Sequence, residues 1–415
     1  MLFISRILYR ISLQVYYWAI LFASLFNEKA KLWITGRNKE NYFERNANIK
    51  SVWLHVASLG EYEQARPIID GLKKLYPEKP IVITFFSPSG YEVIKQKSVE
   101  HEIYYLPLDT SSNAKFIVKY INPELAIFVK YEFWYFTLRE LKNKNIPAVL
   151  VAAIFRKQQP FFKPHGVFFK EILHCFNHIF VQEYESLSLL NNIQITNASV
   201  GGDTRFDRVL KIAADQQAIP FIDEFLNDKK LIVFGSTWSH DEAIAVAFIN
   251  NVFKEFPQYK FIIAPHVIQL EAIEKLQAKL KPANTCYSNL TLEDAPHYQV
   301  LIIDNVGMLS KLYRHAEMAY VGGGFNQGIH NVLEATVNGI PVAFGPRHTK
   351  FKEARDLKEI QVAFTINNAH DLEIAFRKIT YNEPFKIHCN EKLAIYFDEN
   401  SGGTKKILSY IRELL

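Results

Sequence analysis

The stretch SVWLHVASLGEYEQARPIIDGLKKLYPEKPIVITFF (Ser51–Phe86) decides the fold class. It holds two short β-branched and aromatic runs, Val52 to Val56 and Ile81 to Phe86, on either side of a longer segment of helical character. The first run ends in a small, Gly-containing turn. A strand, a helix and a second strand in that order imply a βαβ unit and a parallel sheet. Outward from it the same alternation continues through Ile103 to Leu106, Leu125 to Val129, Ala148 to Ala153 and His178 to Val181. A second series follows at Leu231 to Phe234, Lys260 to Ala264, Val300 to Ile303, Ala319 to Val321, Pro341 to Phe344 and Val362 to Thr365. Between the series, residues 202 to 228 lack strand character and carry Pro220, which places a domain junction there. The expectation is an α/β chain of two doubly wound domains facing one cleft.

At 415 residues the chain exceeds what one hydrophobic core organises. Its 49% hydrophobic and 22% charged residues, with 17 Gly and 17 Pro, exclude disordered, collagenous and disulfide-scaffold classes. Cys175, Cys286 and Cys389 form no CxxC pair, so neither a structural zinc site nor a disulfide framework is expected, and a reducing compartment is.

The net charge of +5 is concentrated in the first fifty residues. Arg6, Arg10, Lys29, Lys31, Arg37, Lys39, Arg45 and Lys50 stand there against Glu28, Glu40 and Glu44, and the remainder of the chain is balanced. One basic segment on a neutral body argues against a nucleic-acid groove and for an anionic membrane surface. Ile11 to Asn27 is free of charge and rich in aromatics, at the short end of what crosses a bilayer. It suits an interfacial helix or short anchor, the alternative being an amphipathic helix docked on the protein itself. Basic residues on its C-terminal side favour a cytoplasmic body.

Four strand-end segments could carry chemistry. Glu61, in the turn Ala57-Ser58-Leu59-Gly60-Glu61, is a candidate general base, or an acid that merely favours the positive end of the following helix. Glu132, after the run ending at Val129, is an exposed carboxylate among aromatics that would raise its pKa or shape a sugar pocket; alternatively it is a surface acid beside core rings. Gly322 to Gly328, ahead of a helix expected near His330-Asn331-Val332-Leu333-Glu334, would let backbone approach a phosphate or ribose, or is a tight turn. Ser236 and Thr237, in Gly235 to Glu242, could form a phosphate or donor loop, or only cap a helix. Asp-x-Asp, HExxH, Walker A and GxSxG motifs are absent, which removes support for metal-bridged nucleotide sugars, zinc proteolysis, NTP hydrolysis and serine esterase chemistry.

Taken in order, ASLGE at 57–61, YEFWY at 131–135, GGDTRFD at 201–207, FGSTW at 234–238 and AYVGGGFNQGIHNVLEATVNGIPVAFGPR at 319–347 resemble one family. It is the 3-deoxy-D-manno-octulosonic acid (Kdo) transferases of lipopolysaccharide synthesis, which are GT-B glycosyltransferases, and the resemblance spans nearly the whole chain. It implies an N-terminal membrane anchor helix over 1–30, a Rossmann-like acceptor domain over 31–205, a CMP-sugar domain over 206–395, and a final helix over 396–415 packing back toward the first domain. The implied reaction is a metal-independent inverting transfer of Kdo from CMP-Kdo to a lipid A precursor of lipid IVA type, at the cytoplasmic face of the inner membrane of a Gram-negative cell. No cofactor, metal or nucleic-acid partner is expected. Glu61 matches the family's catalytic base, and Glu132 and Arg205 match its transition-state-stabilising positions. CMP binding maps to Pro265 and His266, to Gly307, Met308 and Leu309, and to Asn331, Val332, Leu333 and Glu334.

The chain departs from the pattern at His266, where the family has Arg, and at Met308, Arg205 and Ile329, where Glu, Lys and Gly are usual. An unperturbed imidazole is mostly uncharged at neutral pH, so side-chain phosphate binding at position 266 is weakened. Arg205 keeps a charge and adds bidentate geometry. Support for the departing phosphate is expected from Arg205 and from helix N-termini near Ser236 and Met308. The stretch Phe155 to Lys170 mixes aromatics and cations as an acceptor-binding face would, or as a buried aromatic helix would. The rival readings are another GT-B enzyme using a UDP-sugar, transferase or epimerase, and a non-catalytic membrane-bound sugar-nucleotide-binding module.

Overall fold

The computed structural model describes residues 2–37, 46, 48–97, 101–215 and 217–415. Lys39, Glu40, Glu44 and Arg45 of the basic segment lie outside the described residues. The chain divides into two compact units, residues 1–208 with 400–415 and residues 209–399.

The first unit contains strands β1 (Ser51–Val56), β2 (Ile81–Phe85), β3 (Glu102–Tyr105), β4 (Pro123–Val129), β5 (Ala148–Ala153), β6 (His178–Val181) and β7 (Ala198–Val200). They form one sheet of order β3-β2-β1-β4-β5-β6-β7, parallel throughout. Buried on both faces, its central strands are near-continuous apolar runs, as a parallel sheet covered by helices requires. The second unit contains β8 (Lys230–Thr237), β9 (Tyr259–Pro265), β10 (Asn284–Cys286), β11 (Val300–Ile302), β12 (Ala316–Val321), β13 (Val342–Phe344) and β14 (Ala363–Thr365). Its order is β10-β11-β9-β8-β12-β13-β14, again parallel; it differs from the first sheet in that its fourth strand, β11, lies between its second and third instead of beside its first. Every strand expected from sequence is present. The two missed, β7 and β10, are three-residue edge strands, ASV and NTC, with no apolar run to announce them.

In each unit the strand order reverses beside the first strand, between β1 and β4 and between β8 and β12. A crevice opens there beyond the carboxyl ends of the strands, and it is where such sheets take ligands.

Helix α1 (Leu2–Ala23) docks on the first unit along one side only. Arg6 pairs with Glu171 at 2.7 Å, Tyr9 donates to buried Asp109 at 2.8 Å, and Leu13 packs with Trp33 of α2 (Glu28–Thr35) and Leu108. Its other side leaves Phe3, Ile7, Leu8, Ile11, Trp18 and Phe22 exposed. No described helix is long and apolar enough to cross a membrane. The helix Gly403–Leu414 returns to the first unit, where Ile407 and Ile411 join the cluster built on Val52, Leu54 and α3 (Leu59–Leu75). Its first turn is tied by Asp207, which accepts from the amides of Gly402 and Thr404 at 2.6 and 2.7 Å. Part of the GGDTRFD segment is therefore structural.

Candidate functional site

The first unit's reversal point carries both expected carboxylates. Glu61 stands in the opening turn of α3, directly after β1. Ser58 is the N-cap, but its hydroxyl makes no bond to the helix backbone and donates instead to Glu61 Oε2. The spacing of a capping box is present and its reciprocal bonds are not, so helix capping does not account for Glu61. Glu61 Oε1 lies 3.8 Å from Lys130 Nζ. Lys130 follows β4 with φ 70°, a left-handed conformation that costs a branched or long side chain energy and that clusters at functional sites. A cation from the neighbouring strand end thus holds the carboxylate, and neither Lys130 nor Ser58 was singled out by sequence.

Glu132 is not the exposed acid expected from sequence: it is 7% exposed. The ring nitrogens of His55 and Trp134 meet its Oε2 at 2.8 and 2.7 Å. His55 is wholly buried in β1, and the ring of Phe86 packs at a tilt of 33° on Trp134, with centroids 4.8 Å apart. Desolvating a carboxylate is costly unless donors replace water, and these two N–H groups do so. One polar residue inside an otherwise apolar strand was the available signal for His55.

Arg205 begins the helix Arg205–Ala213, and its guanidinium binds Asp203 Oδ2 through Nε at 2.8 Å and Nη2 at 2.7 Å. Burial alone would push the Asp203 carboxyl up, yet the Arg205 charge and hydrogen bonds from Arg205 and Gln64 hold it below the usual carboxylate range. The aromatics of the 155–170 stretch prove to be core: Phe155, Phe161 and Phe168 are buried together under the sheet, while Arg156 and Lys157 face solvent. The stretch offers exposed cations and no apolar face, because the phenylalanines are needed to cover β5 and β6.

In the second unit, four strand ends converge on one pocket of about 1300 Å³. Trp238 follows β8, His266 follows β9, Asn326 to His330 follow β12, and Pro346, Arg347 and Lys350 follow β13. Its lining contains two formal cations, Arg347 and Lys350, and no carboxylate, so the pocket favours an anion. Trp238, His266 and His330 form a stack, with ring centroids 4.7 Å apart for Trp238–His266 and 4.3 Å for His266–His330. Trp238 Nε1 donates to His330 Nε2 at 3.0 Å, which requires a lone pair there. Burial lowers the pKa of both imidazoles, that of His330 to about 4 with the help of His266. Position 266 therefore offers the pocket no cation at neutral pH, and Arg347 and Lys350 supply positive charge from the end of β13.

The glycine run is explained first by packing. A Cβ on Gly322 would come within 2.4 Å of the Ser236 carbonyl oxygen, and one on Gly324 within 2.6 Å of the Gly345 amide. The strand-end loops touch backbone to backbone, which only glycine allows. Asp241, missed by sequence, ties them further by accepting from Trp238 N, Gly323 N and Tyr320 Oη. Ser236 is itself left-handed at φ 53°, and buried Thr237 Oγ1 has no partner among the described residues.

Of the expected CMP contacts only His266 lines this pocket; the others stand on neighbouring segments of the second unit. Pro265 ends β9 beside His266; Gly307, at φ 105°, and Met308 precede Leu309, whose side chain lies against Gly235 on β8. Asn331 donates to Glu334 at 3.1 Å, and the side chains of Val332 and Leu333 are wholly buried, leaving only their backbone for a ligand. The helix expected near His330 is the single turn Leu333–Thr336, and that after Met308 is the single turn Leu309–Leu312. One turn has almost no macrodipole, so the helix-end support expected near Met308 is withdrawn. The helix after Ser236, Ser239–Val252, is full length, but the carboxylate of Asp241 already sits at its start.

A family model described as 3-deoxy-D-manno-octulosonic-acid transferase (kdotransferase) matches residues 28–208, the span that holds Glu61, Glu132 and Arg205. A 3-deoxy-D-manno-octulosonic acid transferase of Rickettsia felis is 26% identical over 375 residues, 88% of this chain and 80% of that protein. One of Aquifex aeolicus is 28% identical over 327 residues, 78% of this chain and 84% of that protein. Residues 28–208 thus match the Kdo transferase family, and the similarity to Kdo transferases extends over most of the chain. Among solved structures it is similar to a putative UDP-N-acetylglucosamine 2-epimerase from Listeria monocytogenes, with TM-score 0.59 and 12% identity, covering 88% of this chain and 96% of that one. That likeness concerns the fold alone, and it agrees with a GT-B architecture of two Rossmann-like units for this chain.

Proposed function

We propose that this chain moves Kdo from CMP-Kdo to a lipid A precursor of lipid IVA type. The observation that carries the reading is Glu61, held by Ser58 and Lys130 at the reversal point of the first sheet, where a base is positioned and not engaged in capping. Glu61 accepts the proton of the acceptor hydroxyl as that oxygen bonds to the anomeric carbon of Kdo. The bond from that carbon to the CMP phosphate oxygen breaks in the same in-line step, so configuration inverts and CMP leaves with its electron pair. CMP is a good leaving group, and electrostatic support for its charge matters more than a general acid. Glu132 steadies the positive character that develops on the sugar. Arg205 and the cations of the second unit's pocket support the anionic groups, and no metal or cofactor is required.

CMP is read as bound by Pro265, His266, Gly307 to Leu309 and Asn331 to Glu334, with Ser236 and Thr237 at the donor phosphate. Attachment to the cytoplasmic face of the inner membrane is read from α1. Its docked side and its apolar exposed side are both present, so the helix can lie on a bilayer without leaving the protein. The test is incubation of the full chain with CMP-Kdo, with and without tetraacylated lipid A precursor, in EDTA, following CMP release and lipid mass. Acceptor-dependent CMP release with a lipid heavier by whole Kdo units is expected. Binding of CMP without any product on any acylated acceptor would return the chain to the UDP-sugar or binding-module readings.

A further inference from the structure

Behind Glu132 runs a buried hydrogen-bonded chain that no motif assigned. Trp53 Nε1 donates to Thr84 Oγ1 at 2.8 Å, and that hydroxyl lies 2.8 Å from His55 Nδ1. His55 Nε2 is in turn 2.8 Å from Glu132 Oε2. Trp53, Thr84 and His55 are all wholly buried, on the paired strands β1 and β2. An indole nitrogen can only donate, so Thr84 Oγ1 accepts from Trp53 and has its own hydrogen to give. Given to Nδ1, it makes Nδ1 the acceptor of the imidazole and Nε2 the donor. The Nε2 hydrogen then points at the carboxylate.

The opposite arrangement, Nδ1–H on the Thr84 carbonyl at 3.0 Å, would let Nε2 accept from Trp134 Nε1 at 3.0 Å, but it would set the Nε2 lone pair against Oε2 at 2.8 Å, while Trp134 Nε1 already has Oε2 as an acceptor at 2.7 Å. It would also leave the Thr84 hydroxyl hydrogen without its acceptor at Nδ1, so the first arrangement satisfies more groups. In it Glu132 Oε2 accepts two N–H bonds, from His55 and from Trp134, while Oε1 takes none from the described residues.

From this wiring we infer that His55 is a positioning residue. It clamps one oxygen of Glu132 and so presents the other, at a fixed angle, to the sugar. Thr84 sets the tautomer in which His55 does so. The inference rests on the reading of Glu132 as a group that acts in the transfer. Without His55 the carboxylate is held by Trp134 alone and its angle is no longer fixed by two donors, and small misplacements of a reacting group are expensive.

The test is steady-state transfer by the full chain with CMP-Kdo and tetraacylated acceptor. The variants are His55→Ala, His55→Gln, Thr84→Val, Glu132→Ala and the double variant H55A/E132A, with thermal midpoint and CMP binding measured on each. His55→Ala is expected to lower kcat about 10- to 100-fold with both KM values within about twofold. His55→Gln, whose amide can donate where Nε2 does, should recover most of that loss. In the Glu132→Ala background, His55→Ala should cost less than about twofold, because a residue that acts only through Glu132 has nothing left to position. Thr84→Val should show a smaller loss that likewise vanishes without Glu132.

An equal cost of His55→Ala with and without Glu132 would overturn the inference, as would a Gln variant no better than Ala while both melt like the parent. If His55→Ala does not fold, the Gln and Val variants decide by the same comparison. Should Glu132→Ala turn over like the parent, the reading of Glu132 fails and takes this inference with it. Should that variant be crippled and the His55 and Thr84 variants untouched, the inference alone fails.

Discussion

The two sheets are both seven-stranded and parallel, and their reversal points are furnished in different ways. In the first unit the end of β1 and the end of β4 carry carboxylates, Glu61 and Glu132, each gripped by named donors. In the second unit the ends of β8, β9, β12 and β13 carry uncharged rings and two cations and line a large pocket. Two carboxylates collect at one point, with Lys130 beside Glu61, and two cations without a carboxylate line the pocket at the other. Proton transfer needs a positioned base, and binding an anionic donor needs dipoles and cations. On the proposed reading, two similar parallel sheets thus divide the two tasks, and fold alone could not have said which unit does which.

Substitutions that affect one task and spare the other test this division. The largest effect is expected at Glu61: Glu61→Gln should lower turnover by a factor on the order of 10² to 10⁴ while CMP titration is unchanged. Loss of CMP binding in that variant would break the division, since the carboxylates belong to the first unit. Next comes the pocket. The double variant R347A/K350A should raise the donor KM about tenfold, or ~1.4 kcal/mol, with kcat within about twofold. Both side chains are exposed, so the difference should shrink as salt rises, and a loss confined to kcat would remove the pocket from donor binding.

A third comparison sets the two sides of α1 against each other. Trp18→Glu with Phe22→Glu should abolish co-sedimentation with vesicles containing anionic lipid and leave the thermal midpoint unchanged, because both residues are exposed. Undiminished sedimentation would mean the exposed side is not what meets a membrane. The smallest effect is in stability. Burial holds His330 at about 4, below its ordinary 6.5, so across that window the unfolded chain binds more protons than the folded one. Stability therefore falls as pH drops below about 6.5, and His330→Gln, which cannot titrate, should flatten the slope of thermal midpoint against pH between 7 and 5. An unchanged slope would mean the ring stack is not what keeps that imidazole neutral.

Strand runs and their alternation with helices were legible because burial on both faces of a parallel sheet demands uninterrupted apolar residues. Edge strands β7 and β10 have no such demand and left no mark. The Glu61 turn was legible for a related reason, since it directly follows a recognisable strand. The true setting of Glu132 was not, because a carboxylate among aromatics reads the same whether the rings cover it or merely adjoin it. Only the alignment of β1, β2 and β4 reveals that His55, Thr84 and Trp134 surround it.

The sequence by itself thus determined two parallel α/β units, the strand ends that bear Glu61, Glu132 and the glycine run, and the resemblance to Kdo transferases. These follow from local composition and order along the chain. Tertiary structure alone decided that Ser58 and Lys130 grip Glu61, that His55 clamps Glu132, and that Arg347 and Lys350 share a pocket with an uncharged His266. Each of those depends on which strands lie side by side, and strand neighbours are set by long-range packing that no short window of residues contains.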